Sequence, residues 1–325
     1  IRTEAQRALD TNSSVATELL AERVASTSSQ MISIADSFSD EDRRSAEALP
    51  VELQRQTELL GLDYMFWVDA SGVVRGSTTG LLGHRLDWPQ LEAVVQSGEA
   101  TGFASIVPVT QLVSLDINDE LMLAVKETKG GSASNSEVAG ALSIAGVAPV
   151  SDGDGRRIGS VVGVRTLKLD NAFVDSIAHK VGGVSTVFQN GVRVATTVTN
   201  DAGERAIGTA ISDQVRQKVL VEGIPFRGEA FVVNKQYLTA YDPIRDPGGA
   251  VIGMLFVGID DTPYSASVFN FSLAMLGLTA LGALMAGGFA WVSSHKLSAP
   301  IKEVSDAASR IAAGDLTIDM SGRKR

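Results

Sequence analysis

The 325-residue sequence contains no cysteine. Disulfide scaffolds and thiolate metal centres are thereby excluded. Histidine is almost as scarce: His84, His179 and His295 are the only three, and no two stand at metal-ligand spacing. There is no Gly-x-Ser-x-Gly stretch and no phosphate-binding loop. Asp152-Gly153-Asp154-Gly155 lacks the ligand spacing of a calcium loop and reads as a polar turn. No catalytic constellation, no metal and no cofactor is therefore expected, and the chain is read as a non-enzyme. Aromatic residues make up only 6%, whereas glycine reaches 32 residues, a balance that favours strands and turns over a plain helical bundle. Basic residues are outnumbered 28 to 38, for a net charge of -10, so a clustered basic surface for nucleic acid is not expected.

Hydrophobic residues, at 44%, are enough for a packed core, and the length suits roughly two domains of ~100–200 residues each. No charged residue occurs from Thr262 to Ser294, and 268–292 is dominated by Leu, Ala, Met, Phe, Val and Gly. About 20 such residues cross a bilayer as a helix. Asp260 and Asp261 precede the run, while His295, Lys296, Lys302 and Arg310 follow it. The excess of Lys and Arg on the C-terminal side places residues 294–325 in the cytoplasm and residues 1–262 outside. Tyr264 and Trp291 sit near its two ends, as interfacial aromatics do. A first membrane helix is expected before Ile1, and a continuation after Arg325.

Residues 1–38 contain neither proline nor glycine, and apolar or small residues recur at a period near 3.5–3.6. The spacing predicts one helix of ~55 Å, with a bend possible at Asn12-Ser13-Ser14. A second helix is predicted over 40–60, capped by Ser39. The long helix suits either a dimer spine or packing on its own domain.

Beyond it the sequence repeats one plan. Phe66-Trp67-Val68-Asp69-Ala70-Ser71-Gly72-Val73-Val74-Arg75 matches Thr186-Val187-Phe188-Gln189-Asn190-Gly191-Val192-Arg193-Val194, each a strand, a tight turn and a strand. Gly83-His84-Arg85-Leu86 matches Gly208-Thr209-Ala210-Ile211, and Gly98 stands as far beyond Gly83 as Gly223 does beyond Gly208. A short helix is predicted in each interval. Each copy closes with two strands about a turn, 141–150 with 158–164 and 237–244 with 251–259. The first copy carries an extra stretch at 109–138. Each copy is an α+β unit built on a small antiparallel sheet.

These residues resemble the extracytoplasmic double Cache region of bacterial methyl-accepting chemotaxis proteins, especially its fused Cache type. The second copy carries the resemblance best, in Val187-Phe188-Gln189-Asn190-Gly191, Arg205-Ala206-Ile207-Gly208, Tyr237-Leu238-Thr239-Ala240-Tyr241-Asp242-Pro243 and Ile252-Gly253-Met254-Leu255-Phe256. After the membrane run, Leu297-Ser298-Ala299-Pro300-Ile301-Lys302-Glu303-Val304 resembles the first helix of a HAMP domain. Pro300 stands at its start, Ile301, Val304 and Ile311 form a heptad-like seam, and Gly314 ends it. The implied fold is α+β: a long N-terminal helix carrying two PAS-like (Cache) antiparallel-sheet modules, then a transmembrane helix and a HAMP helix. The implied boundaries are 1–63 for the helical spine, 64–180 for the membrane-distal module, 181–262 for the membrane-proximal module, 263–293 for the membrane helix and 294–325 for the partial HAMP domain.

The resemblance implies a transmembrane chemoreceptor of the cytoplasmic (inner) membrane, a homodimer that senses a small molecule outside and passes the signal to cytoplasmic partners. Two alternatives stay open: the sensor region of a histidine kinase or nucleotide cyclase, and a membrane-anchored binding protein without signalling. By analogy the distal module holds the ligand. The candidates are Tyr64, Trp67, Arg75, Ser77, Thr78, His84, Arg85, Trp88 and Lys126, with Arg193, Tyr237 and Tyr241 as their analogues in the second copy. Arg75, Arg85 and Lys126 could pair with a carboxylate, and Trp67 and Trp88 could wall an apolar part. The Tyr, Arg, Trp, Tyr, Asp motif with which one subfamily reads amino acids is not found, so an α-amino acid is not supported; the basic candidates make an organic acid the expected ligand class.

Overall fold

A computed structural model describes residues 2–37, 48–79, 82–114, 139–233, 235–260, 262–294, 304–306, 308–309 and 312–313. The chain divides into two compact units, Ile1–Asp261 and Thr262–Arg325.

The first unit begins with helix α1 (Arg2–Ser37), followed by α2 (Ala48–Leu60). The predicted start of the second helix at 39–47 lies outside the described residues. Helix α1 runs unbroken through Asn12-Ser13-Ser14. Asn12 and Ser13 bond outward, while the Ser14 hydroxyl donates to the Asp10 carbonyl within the helix. The Asn12 amide donates to the Val181 carbonyl at 2.9 Å, and the Ser13 hydroxyl donates to the Asp242 carboxylate.

Two five-stranded antiparallel sheets follow. The first holds β1 (Tyr64–Asp69), β2 (Val74–Ser77), β3 (Thr101–Val107), β4 (Ala141–Ser151) and β5 (Arg157–Thr166), in the order β2-β1-β5-β4-β3. The second holds β6 (Val184–Gln189), β7 (Val192–Thr196), β8 (Phe226–Val232), β9 (Lys235–Arg245) and β10 (Val251–Asp260), in the order β7-β6-β10-β9-β8. The two orders are the same, as the sequence repeat demands. Helices α3 (Pro89–Ser97) and α4 (Val109–Ser114) belong to the first module, and α5 (Asn171–Val181) joins the two. In the second module a short helix, α6 (Asp213–Val215), continues as π-helical residues Arg216–Val221.

Helix α1 packs along one face of both sheets. In the first sheet Gly102, Gly146 and Gly163 pair in a row across β3, β4 and β5. A Cβ at Gly102 would lie 2.4 Å from the Val24 carbonyl oxygen, and one at Gly146 would lie 2.6 Å from that of Thr27. The row of missing side chains lets the helix backbone rest on the strands. Arg23 fastens the helix where the modules meet: it pairs with Asp170 at 2.7 Å and lies 4.5 Å from the centroid of the Phe173 ring. Asp170 also caps α5 by accepting from the Phe173 amide.

The modules share a core in which Leu142, Ile144 and Ala104 of the first sheet pack with Val187, Leu255 and Val257 of the second and with Leu9 and Ala16 of α1. Gln189 ties them further. Its amide donates to the Ala139 carbonyl at 2.9 Å and accepts from the Leu142 amide at 2.9 Å.

The second unit carries α7 (Thr262–Ser293). Its stretch Leu273–Ser293 has 21 residues and a mean hydropathy of 1.8, and none of it is buried. At 1.5 Å per residue that is about 30 Å, long enough to cross a hydrocarbon core. Of the HAMP-like seam, Pro300, Ile301, Ile311 and Gly314 lie outside the described residues; Val304 is helical and exposed.

Candidate functional site

Each sheet has a second face, turned away from α1, and strand alternation decides what lies there. On β1, Tyr64, Phe66 and Val68 face away from the helix, while Met65 and Trp67 face it among Met31, Ile34, Leu49 and Leu53. The far face continues through Val74, Phe103, Val107, Ala145, Val162 and Val164, roofed by Leu86, Trp88, Leu91 and Val95. Its polar groups are neutral. Trp88 Nε1 donates to Ser105 Oγ at 3.0 Å in a fully buried contact. The Tyr64 hydroxyl, 1% exposed, points toward Ser143 without a hydrogen bond of normal geometry. Burial pushes that phenol far above its ordinary pKa, so it is a neutral donor at any physiological pH.

The residues singled out in the distal module do not form one cluster. Tyr64, Ser77 and Trp88 are buried on the first module, and Ser77 pairs with Phe66 on the far face. Trp67 lies on the opposite face from Trp88, so the two cannot wall one pocket. Thr78 is held by hydrogen bonds to the Met65 backbone. Arg75 is an exposed partner of Asp69 at 2.7 Å, and Arg85 an exposed partner of Glu92 at 3.0 Å. His84 is exposed, with its carbonyl accepting from the Val74 amide. Lys126 lies outside the described residues. The basic candidates that are described thus point to solvent.

The second module places a cation where the first has none. On its far face Phe188, Tyr241, Tyr237, Met254 and Phe256 pack with Val198, Ala206, Ile211, Val215 and Val219. Tyr237 and Tyr241 share this face, as their spacing predicts. The rings of Tyr241 and Phe256 are 4.8 Å apart, those of Phe188 and Tyr241 6.0 Å, and those of Phe226 and Tyr241 5.9 Å. At the β7 end of this aromatic patch stands Arg193, 4% exposed, its guanidinium 5.0 Å from the Phe188 centroid. Arg193 Nη1 donates to the Thr209 hydroxyl. Its Nε is buried with no acceptor. Among the described residues no carboxylate pairs with it. Burial pushes the guanidinium down to about 10 and the Tyr241 phenol up to about 12. Near neutral pH Arg193 is therefore charged and Tyr241 is a neutral hydroxyl donor.

The turn glycines Gly72 and Gly191 align Arg193 with Val74, and the strand register agrees. Both hairpins carry a β-bulge at the same place, between Trp67 and Val68 and between Val187 and Phe188. Val68 pairs with Val74, and Phe188 pairs with Arg193. The next loops agree: Val74 exchanges backbone bonds with Gly83 and His84, and Arg193 with Gly208 and Thr209. Ser105, Ser143 and Thr209 had no signal in the sequence, because isolated hydroxyls in strands and loops look alike whether buried or exposed.

Two five-stranded sheets of the same order, each packed against α1 on one face and covered on the other, define the architecture. Residues 164–270, about a third of the chain, match the family model described as single Cache domain 3. The matched stretch spans the second module, β6 to β10. No curated protein matches the chain. Among solved structures, the periplasmic domain of Vibrio cholerae LuxQ is 10% identical with a TM-score of 0.48, covering 78% of this chain and 99% of that one. The ligand-binding domain of the Pseudomonas fluorescens chemoreceptor CtaA, solved with L-serine, is 13% identical with a TM-score of 0.41, covering 81% and 100%. An extracellular ligand-binding receptor from Desulfohalobium retbaense is 16% identical with a TM-score of 0.43, and this chain spans 39% of its length. These are likenesses of chain path; the similarity to a Cache domain covers residues 164–270.

Proposed function

We propose that this chain is the sensing part of a membrane receptor, in which a two-module region outside the cytoplasmic membrane binds a small molecule and α7 carries the signal inward. The observation that carries this reading is the continuity of β10 and α7. Strand β10 is the central strand of the second sheet and ends at Asp260; α7 begins at Thr262. In this reading a change in that sheet is passed along the chain to the helix. Asp260 and Asp261 before the helix, and Lys296 and Lys302 after it, set the direction. The Pro300 segment leads a HAMP-type relay, the output is of chemoreceptor type, and the receptor works as a homodimer. It binds its ligand without transforming it, and the ligand is an organic acid. The ligand acts by its differential affinity for two arrangements of the sensor.

The test is thermal unfolding of the full chain in lipid nanodiscs against organic acids, amino acids, amines and nucleobases. A ligand of the folded state at a hundred times its Kd stabilises by about 2.7 kcal/mol. A saturable shift with one class supports direct sensing; no shift with any class sinks it.

A further inference from the structure

We infer that the far face of the second module is a carboxylate site, in which Arg193 takes the anion and the aromatic patch takes an apolar body; the inference rests on the sensor reading above. A buried guanidinium without a carboxylate is among the costlier things a fold can hold, because its hydration is lost and not replaced by an opposite charge. Arg193 is in that state: 4% exposed, one acceptor at Thr209, and a buried Nε with none. The fold does not require it. The same site in the first module is Val74, fully buried in an apolar cluster, on a sheet of the same strand order. The charge is therefore an addition to this module, and a bound carboxylate would supply what the chain withholds.

The surroundings fit that ligand. A carboxylate accepts two parallel hydrogen bonds from one guanidinium edge, which includes Nε. The Tyr241 hydroxyl, close enough to feel the charge of Arg193, is a further donor, while the Thr209 hydroxyl accepts from Arg193 and donates to the Ala206 carbonyl. Phe188, Phe256 and Met254 continue the face with carbon and sulfur only. A monocarboxylate with a flat or aliphatic body matches this; a dicarboxylate would bury its second charge against rings. The roof includes the π-helical residues Arg216–Val221, with Val219 fully buried over the patch. Such single turns carry a strained hydrogen-bond ladder and recur beside ligand sites.

The test uses the full chain in nanodiscs, with benzoate, phenylacetate and butyrate as probes and their amides as uncharged controls. At least one acid should raise Tm saturably while its amide does not. Arg193→Met should raise the ligand-free Tm, because it removes an unpaired buried charge, and should abolish the response. Should that variant fail to fold, Arg193→Lys decides: it keeps the charge but loses the fork, and the apparent Kd should rise by about tenfold or more. Arg75→Ala and Arg85→Ala should respond as the parent does. An acid that stabilises the Arg193 variants as well as the parent overturns the site but leaves the sensor reading intact. The site also falls if only neutral molecules or amines stabilise the parent. If nothing stabilises it, the sensor reading falls as well.

Discussion

The two modules share a strand order, a bulge and a loop that closes over the same β-strand, yet their far faces are chemically unlike. The distal face is apolar with neutral donors: the Tyr64 and Ser143 hydroxyls and the Trp88–Ser105 pair. The proximal face carries Arg193 in the position of Val74. A second exchanged position lies at the ends of β1 and β6. Asp69 accepts from the Ser71 and Val73 amides and pairs with Arg75, so it serves its own hairpin. Gln189 reaches the first module instead. Main-chain hydrogen bonds hold the frame in both copies, so one frame accommodates a charged interior in one copy and an uncharged one in the other.

Moving the charge tests this contrast most severely. Val74→Arg would bury an unpaired guanidinium in the distal face and should cost about 3–5 kcal/mol. Chemical denaturation measures it, and a variant as stable as the parent would remove the argument that Arg193 is unusual. Next comes the close approach of the α1 backbone to the glycines of the first sheet. Gly146→Val drives a side chain against the Thr27 carbonyl and should cost about 1–3 kcal/mol, where Gly249→Val in an open turn meets no neighbour and strains only its own backbone. Gln189→Leu strips the buried Leu142 amide of its acceptor and should cost about 1–2 kcal/mol. Hydrogen exchange at the start of β4 should rise in that variant, and unchanged exchange would mean the modules are held by their shared core alone.

The smallest effect is pH-dependent. Burial alone would raise the Asp69 carboxyl, but hydrogen bonds from Ser71, Val73 and Arg75 outweigh it and hold the carboxyl at about 2. A lowered carboxyl stabilises above the ordinary carboxylate range, and that contribution is lost as pH falls from about 4 through 2. Asp69→Asn should therefore flatten acid unfolding of the first module, by on the order of 1 kcal/mol after solvent screening. Gln189→Glu places a carboxyl at the matching position without those donors and should not reproduce the effect.

The sequence by itself determined the repeat, the turns and the two kinds of helix. Asn190-Gly191 and Gly72 sit at positive φ, which few other residues tolerate, so the hairpins were legible from those positions alone. The uncharged run of α7 was legible because a membrane span is set by length and composition. The α1 stripe was legible from its period, and its unbroken course through Asn12 and Ser13 was not, because their partners lie on α5 and β9. Only the tertiary structure decided which side chains enter a far face. One bulged residue in each hairpin sets the register, and a shift of one residue turns a strand side chain to the other face. Arg193 stands two residues beyond Gly191 and enters the far face, whereas Arg75 stands three beyond Gly72, falls at the bulge and stays on the surface with Asp69. Sequence spacing shows that offset but not which face is covered and buried, because burial is decided by what packs on the sheet.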